Sequence, residues 1–443
     1  MAVDQARQPD LGRSALRKVS WRLLPLIAVG YGVAYIDRSN ISFAALQMNQ
    51  DLRFSAAVYG LGAGLFFLSY ALFEVPSNLL LLRFGARRWI SRIMLTWGLL
   101  AVAMMFVRTP LQFYAARFLL GLAEAGFFPG VVFYLAQWFP AAQRGRAISR
   151  FYVAVPLSAV VMGAVAGSLL GLDGAHGLRG WQWLFLVEGV PAILLSAAVF
   201  LLLPDKPADA PWLTEAEKAW IGAQTASEVA FHGGPAHRSV LSCLLDPVVL
   251  QFSAVNFLLL GSYYAFTLSA PALLKGATGL DAARIGWLTS GAGLVGALCM
   301  VLNAWSSDRF KERYFHLVAP ALAMTAALAA MGATRSPVLV SAAYVAAIGA
   351  FMAAAPVVWP PISESIHPAA AAASFAAINC VGQVGSFVST SLWGVMRDRT
   401  GGYALGLHVL PFMCLLAALL LLVLRQQHLQ RVRARPALAV AIS

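Results

Sequence analysis

Long apolar stretches separated by short polar turns run through almost the whole chain. Twelve of them reach or exceed the roughly 18 apolar residues that indicate a membrane-spanning helix. They cover residues 21–43, 57–82, 90–107, 111–138, 147–171, 183–203, 246–272, 284–305, 315–334, 338–362, 371–397 and 403–424. The pattern predicts an all-α membrane protein with twelve transmembrane helices, which we number span 1 to span 12.

Only one long polar segment interrupts this pattern, and it lies between spans 6 and 7. Within it, Thr214 precedes Glu215 and Glu217, an arrangement typical of a helix N-terminus, so we expect a short interfacial helix there. We predict five parts: an N-terminal tail (1–20), an N-terminal six-helix bundle (21–203), a linker (204–245), a C-terminal six-helix bundle (246–424) and a C-terminal tail (425–443).

The charge distribution predicts an orientation. Of 443 residues, 60% are hydrophobic and only 12% are charged, which excludes an ordinary soluble domain. A net charge of +13 would also fit a nucleic-acid-binding protein, but the basic residues cluster in the loops on one side of the membrane. The positive-inside rule then places both termini and the linker in the cytoplasm. We expect a monomeric, multi-pass protein of the cell (inner) membrane, surrounded by lipid, with no nucleic-acid partner.

Two pairs of charged residues stand out inside the apolar spans: Asp37 and Arg38 in span 1, Arg117 and Glu124 in span 4. A charge at the bilayer centre costs about 2.5–3.5 kcal/mol on insertion scales, and such residues rarely face lipid. With a rise of about 1.5 Å per residue, Asp37 and Arg117 lie at similar depth, which allows an ion pair between them. Glu124 is two helical turns deeper than Arg117 and lies near the midplane.

Asp37 and Arg38 have different neighbours, because adjacent residues on a helix point about 100° apart. We predict that Arg38 faces a central cavity and binds a substrate carboxylate through its planar donor fork. Glu124 is the better proton carrier, since burial favours a neutral carboxyl, and Asp37 with Arg117 links proton loading to closure. The alternative is a purely structural cluster. The stripe assigned to the cavity comprises Tyr31, Tyr35, Arg38 and Ser42.

Two short basic loops occupy equivalent places in the two halves. "LRFGARR" (82–88) follows span 2, and "SDRFKERY" (307–314) follows span 8. Both resemble the repeated loop motif of the major facilitator superfamily, although Leu82 occupies the usual Asp position of the first copy. A gating role is assigned to this motif and to Glu74 in span 2; the residues are Glu74, Arg83, Arg87, Arg88, Asp308 and Arg309.

A more specific resemblance is to the anion:cation symporter family of that superfamily, and it covers nearly the whole chain. The family includes permeases for phthalate, tartrate, glucarate, aldonates and hydroxyphenylacetate, and more distantly sialin and vesicular glutamate transporters. The resemblance implies proton-coupled uptake of an organic anion, and its two intramembrane carboxylates fall on Asp37 and Glu124. The motifs are "YIDRSNIS" (35–42), "FEVPSNLLLLRFGARRWISR" (73–92), "ARFLLGLAEAGFFPG" (116–130), "WQWLFLVEGVPA" (181–192) and "AINCVGQVG" (377–385).

The second half contrasts with the first, because no charged residue lies near the midplane of spans 7 to 12. We expect this half to shape the site and to hydrogen-bond the substrate body, since amides suit hydroxyls or a second carboxylate. Packing is the alternative for each residue. The substrate-binding candidates are Tyr35, Arg38, Tyr70, Arg117, Tyr263, Tyr264, Asn379 and Gln383. Glu188, near the start of span 6, is expected to be structural.

Small residues repeat every four positions in span 5, at Gly163, Gly167 and Gly171. In the fold of the resembled family, spans 2 with 11 and 5 with 8 form the moving interface, and close packing there needs small residues. No Walker-type loop, metal cluster or nucleophile–base arrangement is visible, so we expect neither an enzyme nor a cofactor beyond the coupling proton.

The sequence therefore predicts a secondary transporter that imports a small organic carboxylate with protons by alternating access. Two alternatives stay open: a proton-coupled transporter of neutral sugars, and a non-transporting sensor on a transporter scaffold. Arg38 and Arg117 argue against the first, because a neutral solute needs no buried guanidinium. The intact carboxylates of spans 1 and 4 argue against the second.

Overall fold

The computed structural model describes residues 2–231, 243, 245–366 and 370–442, and every regular element in them is helical. In the first half, spans 1 to 3 are single helices, spans 4 and 5 are each split in two, and span 6 is single. The bounds are Ala2–Asp51, Ala56–Phe84, Ala86–Ala103, Pro110–Glu124 with Phe127–Trp138, Ala141–Tyr152 with Ala154–Leu170, and Gly180–Leu202.

The second half follows the linker helix Glu215–Phe231, and in it only span 10 is split in two. Its spans 7 to 12 are Pro247–Thr278, Ala282–Phe310, Phe315–Ala333, Pro337–Ala354 with Trp359–Ser365, Ala371–Thr400 and Ala404–Ile442. Twelve helical segments of the described chain are long and apolar enough to cross a membrane, which confirms the predicted fold class. Residues 232–242 and 244 of the predicted linker lie outside the described residues.

Helix ends differ from the predicted spans where polar residues continue a helix. Span 1 begins at Ala2, far before residue 21, and span 12 continues to Ile442. Apolar patterning marks only the part of a helix that meets lipid, so it cannot detect such extensions. Helix starts are fixed by local caps: Thr109 forms a capping box with Gln112 at the start of span 4, followed by Pro110.

The linker helix begins at the predicted cap. Glu217 accepts a hydrogen bond from the Thr214 backbone N–H (2.9 Å), and two residues of span 1, Lys18 (2.8 Å) and Ser14 (2.9 Å), donate to its carboxylate. Burial alone raises the pKa of Glu217, but the hydrogen bonds from Lys18, Thr214 and Ser14 outweigh it and lower the pKa to about 2. The linker is therefore tied to span 1 by a carboxylate that stays ionised at neutral pH.

Spans 2 and 11 form one of the two contacts that join the halves. An even number of spans brings both termini to one side, the termini face. At the opposite face, Asp398 accepts hydrogen bonds from the N–H groups of Ala56 (2.9 Å) and Ala57 (2.8 Å) at the start of span 2. One turn further, a Cβ at Gly60 would lie 2.7 Å from the carbonyl oxygen of Thr390, so only glycine permits this approach.

Spans 5 and 8 form the second contact. Ser290 donates a hydrogen bond to the carbonyl of Val160 (2.7 Å), and a Cβ at Gly163 would clash with the backbone of Gly286. This agrees with the small-residue interface expected from the sequence. Among the described residues, the hydrogen bond between Glu74 and Asn379 is the inter-half hydrogen bond that lies nearest the termini face. All the others lie closer to the opposite face. The halves are thus closed toward the opposite face.

Candidate functional site

A cavity of about 120 Å³ lies between the two halves, about midway along the spans. Spans 1, 2, 4, 5, 7, 10 and 11 line it. Most predicted substrate-binding residues meet at this cavity: Tyr35, Arg38, Tyr70, Tyr263, Tyr264, Asn379 and Gln383. Asp37, Arg117 and Glu124 lie behind this lining, within the first half.

Arg38 and Glu124 form a buried ion pair at the edge of the cavity. The Arg38 Nε (2.7 Å) and Nη2 (2.5 Å) both donate to the Glu124 Oε1 atom. The second carboxylate oxygen, Oε2, has no hydrogen-bond partner among the described residues. Arg38 therefore faces the cavity as predicted, but its guanidinium is held by the carboxylate that was predicted to carry the proton.

Asp37 and Arg117 do not form the ion pair that their similar depth would allow. Asp37 Oδ1 accepts a hydrogen bond from Asn40 (3.3 Å), and Oδ2 has no partner in the described chain. The three guanidinium nitrogens of Arg117 also lack a described partner, and the group lies 4.8 Å from the ring centroid of Phe66. A cation over an aromatic face recovers part of the lost hydration but does not neutralise the charge.

This pairing differs from the prediction because depth was counted along ideal helices. The Arg38 side chain is long enough to turn from the cavity toward span 4. Span 4 itself breaks directly after Glu124: Ala125 is extended, and Gly126 has a φ of 84°, which favours glycine. A Cβ at Gly126 would lie 2.5 Å from the Ser77 hydroxyl. Discontinuous helices near the midplane are common at transporter binding sites.

Aromatic side chains surround the Arg38 guanidinium and continue along the cavity wall. The guanidinium lies 5.2 Å from the ring centroid of Tyr35 and 5.0 Å from that of Tyr70, and the hydroxyl of Tyr264 is also beside it. Across the cavity, Tyr263 stacks on Phe351 with centroids 3.6 Å apart. The wall therefore offers both hydroxyl groups and flat apolar faces to a ligand.

The two amides of span 11 have different surroundings. Asn379 donates from Nδ2 to both carboxylate oxygens of Glu74, at 3.0 and 2.7 Å, and so joins the two halves. Gln383 has an Oε1 atom without a partner among the described residues. In this conformation Gln383 is the amide open to a ligand, whereas Asn379 belongs to the contact that closes the halves. The gating role of Glu74 stays a prediction.

Two further cavity residues carry a hydroxyl or amide group and were not predicted from the sequence, Tyr152 and Asn256. Asn256 precedes Tyr263 by seven residues, close to two helical turns, so it could have been found on the same face of span 7. Tyr152 ends the helix Ala141–Tyr152, where span 5 breaks, and no periodic pattern predicts its position.

The loop-motif residues make contacts within their own halves. The Arg87 backbone N–H donates to Asp205 (2.9 Å), and its side chain donates to the carbonyl of Phe200. Asp308 pairs with Arg313 (2.5 Å). The predicted gating role of the loop residues Arg83, Arg87, Arg88, Asp308 and Arg309 stays a prediction.

Metal ligands are not gathered in the described part of the chain. Within residues 2–231, 243, 245–366 and 370–442, no group of three or more His, Cys, Asp or Glu side chains could hold a metal ion. The site therefore consists of a buried ion pair, aromatic walls and amides.

Twelve spans, two halves and a cavity closed toward one face define a membrane transporter. The model of the Major Facilitator Superfamily matches residues 27–390, so the chain belongs to this superfamily. The resemblance noted in the loop motifs is thereby confirmed, and the chain is a transporter and not an enzyme.

Several bacterial proteins are similar over nearly the full length. A protein of Agrobacterium vitis named for tartrate transport is 42% identical over 97% of this chain and 95% of its own. NicT of Pseudomonas putida, named for metabolite transport, is 42% identical over 88% of this chain and 90% of its own length. A protein of Acinetobacter baumannii named a quinolone resistance transporter is 39% identical over 93% of this chain and 95% of its own length.

Solved structures share the fold at low identity. A bacterial homologue of the human lysosomal transporter Spinster aligns with a TM-score of 0.73 at 18% identity, covering 91% of this chain and 96% of its own. A D-xylose–proton symporter aligns with a TM-score of 0.71 at 17% identity, and the alignment covers 90% of this chain and 97% of the symporter. At these identities the comparison supports the architecture alone.

Proposed function

We propose that this protein imports a small organic carboxylate together with protons, by alternating access. The observation that carries the proposal is the buried Arg38–Glu124 pair at the edge of the cavity. A guanidinium is the side chain best suited to bind a carboxylate, and here its present partner is a carboxylate that can be neutralised by a proton.

The ion pair supplies a mechanism for coupling. A substrate carboxylate and the Glu124 carboxylate compete for the Arg38 guanidinium. A proton on Glu124 removes the competitor, so the anion and the proton favour each other's binding. When the proton leaves toward the more alkaline side, Glu124 pairs with Arg38 again and displaces the anion. Glu124 Oε2, which has no described partner, is the atom available for the proton.

Orientation and closure fit import. The positive-inside rule assigns the termini face to the cytoplasm, and the halves are closed on the other side. The conformation is then the one that releases substrate to the cytoplasm. Opening to the outside must break the hydrogen bonds from Ala56 and Ala57 to Asp398 and separate the close-packed glycines of spans 5 and 8.

The substrate class rests on the relatives' names and on the cavity. Two similar proteins are named for tartrate and for metabolite transport. A cavity of about 120 Å³ with one guanidinium, several hydroxyls and the open amide of Gln383 suits a short hydroxylated acid. An exported aromatic acid is a second candidate, favoured by the stack of Tyr263 on Phe351 and by the relative named for quinolone resistance.

Flux into proteoliposomes tests the proposal. The panel contains tartrate, gluconate, phthalate, hydroxyphenylacetate and a quinolone, each at two pH values and with an imposed pH gradient. We expect at least one acid to accumulate with an inward proton gradient, and its amide not to compete. Transport of a neutral sugar, or no acid flux at all, would overturn the proposal. Proton-driven export of the quinolone alone would replace it with the second candidate.

A further inference from the structure

A second cavity lies at the opposite face, beside the contact between spans 2 and 11. Its volume is about 510 Å³, and its walls are formed by the end of span 1, the start of span 2 and the ends of spans 7 and 11. We call this cavity the vestibule. Both halves contribute to it, so it lies on the axis along which a substrate reaches the central cavity from this face. Its polar lining residues are Asn49, Gln50, Lys275, Arg397 and Asp398.

The vestibule narrows toward the interior of the protein. A space of about 10 Å³, enough for one water molecule, continues it one helical turn deeper, at Gly60 of span 2 and Leu268 of span 7. We call this space the neck. Its wall includes Gly394 of span 11, where an added Cβ would collide with the Ala56 carbonyl oxygen. Arg397 lines both the vestibule and the neck, so it lies where the route to the central cavity is closed.

The charges of the vestibule leave it net positive. Neither Lys275 nor Arg397 forms an ion pair with a carboxylate in the part of the chain that the structure describes. The acidic lining residue, Asp398, is already engaged, because its two oxygens accept hydrogen bonds from the first two backbone N–H groups of span 2. The wall from the first half is neutral, with Asn49 and Gln50. Two cations therefore face one carboxylate that is held elsewhere.

Two buried donors at the neck also lack acceptors. The Trp393 side chain is 5% exposed, and its Nε1–H group has no acceptor among the described residues. The buried hydroxyl of Tyr403 has no described partner either, and the Arg397 guanidinium lies 4.6 Å from the centroid of its ring. All three residues line the neck. Unpaired buried donors are costly, and donors gathered beside a guanidinium are suited to an oxyanion such as a carboxylate.

Helix ends account for these cations only in part. Lys275 and Arg397 each lie in the last turn of a helix, where the helix dipole favours a positive charge. Arg399 lies in the same last turn of span 11 but is exposed and lines neither space. The dipole therefore does not require a cation to face the vestibule, and it gives no reason for the unpaired donors at the neck.

We propose that the vestibule is a first binding site for the substrate anion, separate from the central cavity. Arg397 and Lys275 attract the carboxylate, and the donors of Trp393 and Tyr403 receive it as the neck opens. All four residues belong to the second half, so they stay together when span 2 moves away from span 11. The proposal rests on the import proposed above, because the positive-inside rule then makes the opposite face the outer side. Arg38 binds the anion in the step that follows.

Thiol labelling of the purified full-length protein tests the charge of the vestibule without any transport. Ala272→Cys places a thiol where the chain lines both the vestibule and the neck, and the wild type with its four cysteines is the blank. The probes are a methanethiosulfonate with a sulfonate group and one with a trimethylammonium group. Adding Arg397→Gln should lower the ratio of the anionic to the cationic labelling rate about five- to tenfold at low ionic strength, because the two probes respond to the lost cation in opposite directions.

The control for labelling is Arg284→Gln, which removes a cation that pairs with Asp281 (3.5 Å) and does not line the vestibule. This variant should keep the labelling ratio, and Arg397→Lys should also keep most of it because the charge remains. An unchanged ratio in Arg397→Gln, or an equal fall in Arg284→Gln, would overturn the proposal.

Uptake kinetics test the role in transport, with the acid of the panel that the wild type carries. Arg397→Gln and Lys275→Gln should each raise KM about three- to tenfold, leave kcat within about twofold, and weaken the decline of uptake with rising ionic strength. A lower kcat with an unchanged KM would indicate a structural role and overturn the inference, while the proposed function would stand. A wild type that carries no acid would overturn the proposed function, and the labelling ratio still decides whether the vestibule attracts anions.

Discussion

Replacing Glu124 by glutamine should make anion binding independent of pH. In the wild type the Glu124 carboxylate holds Arg38 at 2.5 and 2.7 Å, so a substrate must displace it. With charge centres about 4 Å apart and an effective dielectric constant of about 20, the pair is stabilised by about 4 kcal/mol. At about 1.4 kcal/mol per factor of ten, the ionised carboxylate weakens anion binding by up to roughly three orders of magnitude.

The assay is equilibrium binding of the transported acid between about pH 5 and pH 8, followed by flux. Wild-type affinity should fall about tenfold per pH unit once Glu124 loses its proton, whereas Glu124→Gln should keep the high affinity throughout. The variant should still exchange substrate across the membrane but should not accumulate it on a pH gradient. Glu215→Gln, on the exposed linker helix, is the control and should behave as the wild type. A Glu124→Gln variant that retains the tenfold slope or the gradient-driven accumulation would refute the competition for Arg38.

Four further predictions address the ion pair, the gate, the interface and the linker. Arg38→Ala should cost about 3–5 kcal/mol in thermal unfolding because Glu124 is left unpaired, and adding Glu124→Gln should restore stability but not binding; recovered binding would contradict the anchor role. Asn379→Ala removes the hydrogen bonds that join span 11 to the Glu74 carboxylate, worth about 1.5–3 kcal/mol, so spin-label distances should show about a tenfold or larger shift in the balance between the two conformations; unchanged distances would contradict the gating role. Gly163→Val should block closure of that face and abolish flux while ligand binding persists; normal flux would contradict the close packing. The pKa of Glu217 is about 2 in the folded protein and about 4.5 when unfolded. Its contact with span 1 therefore stabilises the fold fully above about pH 4.5, and this stabilisation is lost only as the pH falls toward 2. Protease sensitivity of the linker should not change between about pH 5 and pH 8.

The spans and the candidate residues could be predicted from the sequence because both depend on local rules. Apolar length marks a spanning helix, and a charge inside such a helix marks a functional interior. The cap at Thr214 was also predictable, because the capping pattern is contained within four residues. These signals do not depend on how the halves meet.

The partner of each charged residue could not be predicted in the same way. Asp37 and Arg117 lie at similar depth, yet they do not pair, because depth along an ideal helix ignores the reach of Arg38 and the break at Gly126. The partner of Asn379 is set by the conformation, since its contact crosses between halves that move. Side-chain reach and the state of closure are properties of the assembled structure.

Proton uptake on substrate binding tests the central claim most directly. Calorimetric titration of the wild type with the transported acid, in buffers of different ionisation enthalpy, counts the protons taken up per anion bound. If the anion displaces Glu124 from Arg38, binding at a pH where Glu124 is ionised should take up about one proton per anion, and Glu124→Gln should remove that proton. Binding that takes up no proton in the wild type, or the same number in Glu124→Gln, would contradict the account.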